Sequence, residues 1–291
     1  MHPLMPAMKS PFLRCSLFIF FLLSALSVSA QDLPAYRILD KAGNVATFAD
    51  VVAASRSNDL IFFGESHNNP ISHWLQLELG KALASDSLKN LVIGAEMFEA
   101  DQQILLDEYF AGLISRNSFE DEARLWTNYK TDYKPLLEFA KANDIPYVAT
   151  NIPRRYASMV YSKGLESLDG LSADAKRWIA PLPITVDLTL PGYAEISKAA
   201  GGHGGENLPK SQAVKDATMA HFTLKNMAPG SRFLHLNGSY HSDGYEGIVW
   251  YVRKAQPNVR ILTITTQEGD AAELGKADFT ILVPKDMTKT Y

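Results

Sequence analysis

Side chains that could transfer protons or bind metals follow four apolar runs of the sequence, at the point where each run ends. In chain order they are Glu65 and His67, then Glu96 and Glu99, then Asn151, Arg154 and Arg155, and finally Tyr240, His241 and Asp243. Carboxylates and imidazoles are the commonest groups in general acid–base catalysis. The same groups, without sulfur, also suit a borderline divalent metal such as Zn, Mn or Fe. The pattern therefore indicates either acid–base chemistry or a metal site, provided that the four runs end at one place.

The chemical argument depends most on four of these residues: Glu65, His67, Glu96 and His241. They are the candidate metal ligands and, if the protein is an enzyme, the candidate catalytic residues. In that enzyme, Glu65 is the expected general base toward a metal-bound water. Glu96 lies within an apolar run, and a buried carboxylate is costly unless it is paired. We therefore expect a histidine, an arginine or a metal beside Glu96.

Short apolar runs bounded by turn residues predict six strands. They are LIFFG from Leu60, LVIGAE from Leu91, PYVAT from Pro146, RFLHLNG from Arg232, VRILTIT from Val259 and FTILV from Phe279. Segments with apolar residues at helical spacing separate these runs. Strands that alternate with helices predict an α/β fold, with a mostly parallel central sheet and helices on both faces. The four runs that carry chemistry would then end at one sheet edge, where such folds bind ligands.

The helix predicted after the first of these runs starts close to the candidate site. Pro70 suits a first helical position, and Asn68 or Asn69 suits the cap before it. His73, early in this helix, is a candidate to support the site from behind or to contact a cofactor. His235 and His221 are expected to pack or to lie on a surface.

The segment from about 153 to 210 interrupts the alternation of strand and helix. It contains a helical stretch, the proline-rich PLPITVDLTLP and the glycine-rich AAGGHGGEN, which includes His203. We interpret it as a helical insertion, or lid, within one domain of residues 31–291.

Residues 1–30 have the pattern of a secretory signal peptide. Lys9 and Arg14 precede the apolar run SLFIFFLLSAL, and small residues end at Ala30, the expected cleavage site. The run is shorter than the ~20 residues that a membrane-spanning helix needs, so no stable membrane span is expected. The mature protein is therefore expected to be exported, either to the periplasm or outside the cell.

Cleavage near Ala30 also removes the single cysteine, Cys15, and two basic residues. Disulfides and thiolate metal sites are thereby excluded from the mature chain. The net charge changes from -4 to -6, which disfavours nucleic acid as a partner.

Five segments resemble the ChaN-like haem-binding proteins of bacterial iron uptake, which share a superfamily with Tiki proteases and erythromycin esterases. The segments are GESHNNPISH (64–73), EMFEADQQ (96–103), NIPRRYA (151–157), KDATMAHF (215–222) and HLNGSYHSDG (235–244). They occur in order over most of the mature chain. Many members of this family are lipoproteins, whereas this signal peptide has no lipobox cysteine.

The resemblance implies a haem pocket formed by the positions of Glu65, His67, Glu96 and His241. It also implies a tyrosine as haem-iron ligand, a known role for this side chain. The tyrosine candidates are Tyr240, Tyr129 and Tyr133. The full set of candidate cofactor-binding residues is His67, His73, Asn151, Arg154, Arg155, Tyr240 and His241, in which the two arginines would meet haem propionates.

Two functions follow from the sequence. The first is an exported haem-binding protein of haem or iron uptake, whose partner is haem or another small molecule. The alternative is a metal-dependent hydrolase, an esterase or peptidase, that uses the histidines and glutamates. The residue chemistry alone favours neither, and the oligomeric state, a homodimer included, is left open.

Overall fold

Eight strands pair into one sheet at the centre of the computed structural model, which describes residues 34–86, 90–199 and 205–291. The strands are β1 Arg37–Asp40, β2 Val45–Ala46, β3 Leu60–Glu65, β4 Leu91–Glu99, β5 Tyr147–Asn151, β6 Arg232–Gly238, β7 Ile261–Glu268 and β8 Phe279–Val283. The helices are α1 Phe48–Arg56, α2 Pro70–Ala84, α3 Gln103–Phe110, α4 Arg116–Glu122, α5 Lys134–Ala142, α6 Arg154–Lys163, α7 Ala173–Lys176, α8 Pro191–Ala199, α9 Asn207–Asn226 and α10 Ile248–Ala255. The predicted signal peptide and His203 lie outside the described residues.

The strand order is β2-β1-β8-β7-β3-β6-β4-β5, and the six strands from β8 to β5 are parallel. These six are the strands that the sequence predicts, so the predicted α/β fold with a mostly parallel sheet is confirmed. The antiparallel strands β1 and β2 were not predicted. They are short and only partly buried, so they lack the apolar run that marks the other strands.

Helices cover both faces of the sheet, as the fully buried residues of β3 demonstrate. Ile61 and Phe63 belong to one apolar cluster, which includes leucines of α2 and α5. Leu60 and Phe62 belong to another, which includes residues of α9 and α10. Because successive side chains of a strand point to opposite faces, a strand covered on both sides is apolar throughout.

The start of α2 follows the predicted capping pattern. Asn69 is the N-cap residue, and its Oδ1 accepts hydrogen bonds from the backbone N–H groups of Ile71 and Ser72. Pro70 occupies the first helical position. This cap fixes the chain immediately after β3, so His67 lies in a short turn held at both ends.

The segment between Pro153 and Pro209 contains α6, α7, α8 and the start of α9, without a strand among its described residues. Residues 35–291 form one compact unit. Within the described residues, no helix combines the length and the apolar character that crossing a membrane requires.

Candidate functional site

The carboxyl ends of β3, β6, β4 and β5 are neighbours at one edge of the sheet and line a cavity of about 590 Å³. Its lining is Glu65, Ser66, His67, Glu96, Met97, Glu99, Trp126, Asn151, Ile152, Arg154, Ile196, Gln212, Lys215, Gly238, Ser239, Tyr240 and His241. Strand ends far apart in sequence meet here because the strands are parallel and adjacent. Seven predicted site residues are therefore together: Glu65, His67, Glu96, Asn151, Arg154, Tyr240 and His241.

Glu65, at the end of β3, is buried and fully hydrogen-bonded. Its Oε1 accepts from Nδ1 of His67 at 2.9 Å and from the hydroxyl of Tyr133 at 2.7 Å. Its Oε2 accepts from Nε2 of Gln76 at 2.6 Å. Burial by itself would raise the pKa of Glu65, but the adjacent His73 and His67 together lower it. Glu65 is therefore a carboxylate that fixes one ring nitrogen of His67 as a donor.

The imidazole of His67 lies at the open side of this pair, with its side chain 38% exposed. It contacts the edge of Trp126 at a centroid distance of 4.9 Å. Burial lowers the pKa of His67, but the hydrogen bond to Glu65 and the charge of Glu96 outweigh it and raise the pKa above 6.5. In the part of the chain that the structure describes, Nε2 has no hydrogen-bond partner. In the neutral ring this nitrogen is free to accept a proton or to bind a metal.

Gly238, the last residue of β6, makes room for the His67 ring. A Cβ atom at this position would lie 2.8 Å from Nε2 of His67 and 2.7 Å from its Cε1. Such distances are shorter than van der Waals contact, so any other residue would displace the ring. The glycine therefore sets how closely His67 approaches the β6 end.

Glu96 reaches the cavity through an irregularity in β4. The pairing of β4 with β5 shifts register between Ala95 and Glu99, and bulges of this kind redirect side chains. The side chain of Glu96 is buried, and its Oε2 accepts the backbone N–H of Gly238 at 2.7 Å. Its Oε1 lies 3.3 Å from Nε2 of His241, so the histidine partner expected for Glu96 is present.

A second carboxylate holds the other ring nitrogen of His241. Asp216 of α9 is fully buried, and its Oδ1 accepts from Nδ1 of His241 at 2.6 Å. Its Oδ2 accepts from the hydroxyl of Tyr193 at 2.7 Å. Although burial lowers the pKa of His241, the charges of Glu96 and Asp216 raise it to about 10. His241 is therefore an imidazolium at neutral pH, with both nitrogens used as donors.

Two predicted cofactor contacts, His73 and Arg155, do not line the cavity. His73 is buried behind it, where Nε2 donates to the backbone carbonyl of His67 at 3.0 Å. Its role is to hold the His67 turn. Arg155 points elsewhere, since its guanidinium donates to Asp101 at 2.6 Å and stacks on Tyr156.

The three tyrosines that are candidate haem-iron ligands lie in different environments. Tyr133 is buried and supports Glu65, as described above, and Tyr129 is buried among aromatic side chains. Neither lines the cavity. Tyr240 does, and its hydroxyl donates only a long hydrogen bond, 3.4 Å, to the carbonyl of Gly192. Burial and the nearby carboxylates of Asp216 and Glu246 raise the pKa of Tyr240.

The remaining strand histidine, His235, packs as predicted. It is fully buried, with Nε2 2.9 Å from the hydroxyl of Thr150 and Nδ1 3.0 Å from Oδ1 of Asn237. Burial lowers the pKa of His235 to about 4, so the ring is neutral at physiological pH.

A divalent-metal site gains no support from this arrangement. Among the residues that the structure describes, no group of three or more His, Cys, Asp or Glu side chains has a geometry that could hold a metal ion. Both ring nitrogens of His241, one of the predicted metal ligands, already face carboxylates.

Sequence reasoning missed Asp216, Tyr193, Trp126 and Lys215. A signal for Asp216 was present, since it lies on a helix three and four residues from Ala213, Met219 and Ala220, which are all buried. An acid on an apolar helical face needs a buried partner. The other three give no such local signal.

Comparisons with known proteins agree with this fold. The structure of ChaN of Campylobacter jejuni, described as binding haem cofacially, is similar with a TM-score of 0.68 and 21% identity over 87% of this chain and 98% of that one. A mutant of erythromycin esterase EreC gives a TM-score of 0.48 and 11% identity over 86% of this chain and 83% of that one. A Bacillus cereus protein gives 0.46 and 12% over 77% of this chain and 70% of that one. The last two scores carry no functional argument.

No curated protein sequence matches this chain. A family model, described as haem-binding uptake, Tiki superfamily, ChaN, matches residues 51–252. That range includes all four strand ends of the cavity and most of the chain, so the resemblance noted from five sequence segments is confirmed. The protein belongs to the ChaN haem-binding uptake family of the Tiki superfamily.

Proposed function

We propose that this protein binds haem in the cavity at the carboxyl edge of the sheet. The observation that carries the proposal is the joint presence of the free Nε2 of His67 and the phenol of Tyr240 in the lining. Histidine and tyrosine are both known axial ligands of haem iron. The cavity volume of about 590 Å³ lies within the range of small-molecule and cofactor sites. Family membership supports the same ligand.

The residues of the cavity fit this group. Met97, Ile152 and Ile196 supply apolar lining, and Oδ1 of Asn151 is a buried acceptor without a partner in the described part of the chain. When bound, haem would supply an iron centre that a protein side chain can ligate. Tyr240 would have to lose its proton to bind this iron, and because its pKa is raised, binding would release a proton at neutral pH.

The two site histidines have different parts in this proposal. His67 can donate a lone pair to iron, because Glu65 holds its proton on Nδ1. His241 cannot, because Glu96 and Asp216 occupy both of its nitrogens. His241 instead lines the cavity as a cation paired with these two carboxylates. Of the three tyrosine candidates only Tyr240 lines the cavity, and His67 joins it as a candidate iron ligand.

A hemin titration of purified residues 31–291 tests the proposal through the Soret band. We expect a saturable spectral shift, which Tyr240→Phe and His67→Ala alter in position or affinity. His221→Ala, on α9 outside the cavity lining, is the matched control and should leave the spectrum unchanged. A saturable shift identical in all four proteins would remove this cavity as the haem site.

The proposal includes export and a single mature domain, residues 31–291. The support is the signal-peptide pattern of residues 1–30 and an uptake function in the family. Mass spectrometry of the protein from a bacterial periplasmic fraction tests both. The expected mature N-terminus is Gln31, and an uncleaved Met1 in the cytoplasm would contradict export.

A hydrolase remains the second candidate, favoured by one observation. Two histidines at one cavity have environments that separate their proton affinities, with His67 able to accept a proton and His241 held as a cation. Such separation is typical of acid–base pairs. An esterase and peptidase screen with and without chelator tests this candidate. Activity that survives His67→Ala would exclude it.

A further inference from the structure

The cavity has two chemically different ends. At the β3 and β6 end lie the candidate iron ligands, His67 and Tyr240. At the β5 end lie two cations, Arg154 from the first turn of α6 and Lys215 from α9. In the sheet β5 is three positions from β3 and two positions from β6, so the strand axes at the two ends are about 14 Å and about 10 Å apart. A small anion could not contact both ends, whereas a porphyrin with carboxylate substituents could.

Arg154 and Lys215 lie on one wall of the cavity, formed by α6 and α9 and called here the α6–α9 wall. Helices α6 and α9 pack together through Ala157 and Val214, which belong to one buried apolar cluster. Arg154 is exposed and Lys215 is half-buried, so both charged groups are accessible from the cavity.

Neither cation has a carboxylate partner within the described part of the chain. Nearby arginines differ, since Arg155 binds Asp101 and Arg124 binds both Glu99 and Asp101. These pairs neutralise the charges beside the cavity that could otherwise have met a ligand. Arg154 and Lys215 are left as uncompensated positive charge.

The buried carboxylates that line the cavity already have partners. Glu65 is hydrogen-bonded to His67, Tyr133 and Gln76, while Glu96 is bound to His241 and to a backbone N–H. None of these acids is left to neutralise the α6–α9 wall. Both cations are therefore available to a negatively charged group of a bound molecule.

We infer that Arg154 and Lys215 bind carboxylates of the porphyrin and so orient it, with its acidic edge toward α6 and α9 and its iron toward β3 and β6. This inference rests on the proposed haem-binding function and adds that the site selects the free acid. Arg155, the second arginine of the sequence-based proposal, is replaced by Lys215. Charge-assisted hydrogen bonds from Arg and Lys to carboxylates supply the specificity.

The test compares hemin with hemin dimethyl ester, which has the same iron and ring without the carboxylates. Each is titrated into the unaltered protein, into Arg154→Gln with Lys215→Gln, and into a control that carries Arg155→Gln with Lys225→Gln. The control removes the same charges from the same two helices, but neither residue lines the cavity. Thermal unfolding by circular dichroism verifies that all three proteins fold.

We expect a loss of affinity only for hemin, and only in the protein that carries Arg154→Gln with Lys215→Gln. The double substitution should weaken hemin binding roughly a hundredfold, about tenfold for each charge-assisted hydrogen bond removed. The control should bind hemin as the unaltered protein does. Binding of the diester should be weak in all proteins and unaffected by the double substitution, and added salt should weaken hemin binding only where the cations are present.

Two results would overturn the inference, and both differ from the result that would overturn the proposed function. Hemin binding that is equal in the unaltered and double-substituted proteins would reject the cation wall and leave the proposed function standing. An equal loss of hemin and diester would do the same, because it would show a structural effect. If the unaltered protein binds neither hemin nor its diester, the proposed function itself fails.

Discussion

Two histidine–carboxylate groups lie at neighbouring strand ends, and their chemistry differs. In the open pair, Glu65 and His67, one carboxylate holds one ring nitrogen and the other nitrogen faces the cavity. In the buried triad, Glu96, His241 and Asp216, two carboxylates hold both nitrogens. The number of carboxylates and the burial of the ring decide the outcome, since residue type is the same. One histidine is thereby available for a ligand and the other is a fixed cation.

The largest expected effect that separates the two groups is on stability. His241→Leu would leave two buried carboxylates without their cation, which should lower the free energy of unfolding by about 3–5 kcal/mol. His67→Leu removes a half-exposed ring, and Glu65 keeps two other hydrogen bonds, so a loss of about 1 kcal/mol is expected. Urea unfolding of both variants measures the difference. Equal losses would contradict the comparison.

The next effect concerns pH and stability. The pKa of His241 is about 10 in the folded protein, above its usual 6.5. Its stabilising contribution is therefore fully present below pH 6.5 and is lost as the pH rises through about 10. Between pH 7 and pH 9 we expect the free energy of unfolding to fall by roughly 2 kcal/mol from this group. Unfolding curves of His241→Leu should lack this slope, and a slope that persists there would assign it to another residue.

The open pair predicts a dependence of haem binding on pH in the opposite direction. Iron binding needs the unprotonated Nε2 of His67, whose pKa is raised above 6.5. Affinity for hemin should therefore fall as the pH falls below that raised pKa, by about tenfold per unit. Proton release at Tyr240 adds a uniform decline of its own, so the feature specific to His67 is the change of slope at the pKa of His67. This change of slope should appear in the unaltered protein and in Tyr240→Phe and be absent from His67→Ala. A change of slope that persists in His67→Ala would exclude His67 as the titrating ligand.

A smaller effect tests the distance between the two groups. Gly238→Ala puts a methyl group against the His67 ring, which must rotate or shift outward. We expect hemin binding to weaken less than in His67→Ala, by about threefold to tenfold, and stability to change by about 1 kcal/mol or less. Gly170→Ala is the control, because a Cβ atom at this position meets no atom within 4 Å. Gly112→Ala would be strained instead, because the φ of Gly112 is +73°.

Much of the fold could be predicted because its signals are local. Apolar runs such as LIFFG and LVIGAE mark strands that are buried on both faces, and Asn69 with Pro70 marks a helix start. The assembly of four strand ends follows from parallel pairing alone. The strands β1 and β2 escaped prediction because β1 is held by pairing with β8, and β2 by pairing with β1, rather than by their own composition.

Periodicity and motif order do not depend on long-range contacts, so the fold class, the family and the four chain segments that supply the cavity were readable from the sequence. Which side chains line the cavity became visible in the folded chain. It placed Asp216 beside His241, Lys215 in the cavity wall, and His73 and Arg155 outside the lining. The physical reason is that burial and nearby charge set the proton on each imidazole. For His67 the closest charge comes from its chain neighbour Glu65, but for His241 both carboxylates come from residues distant in the chain.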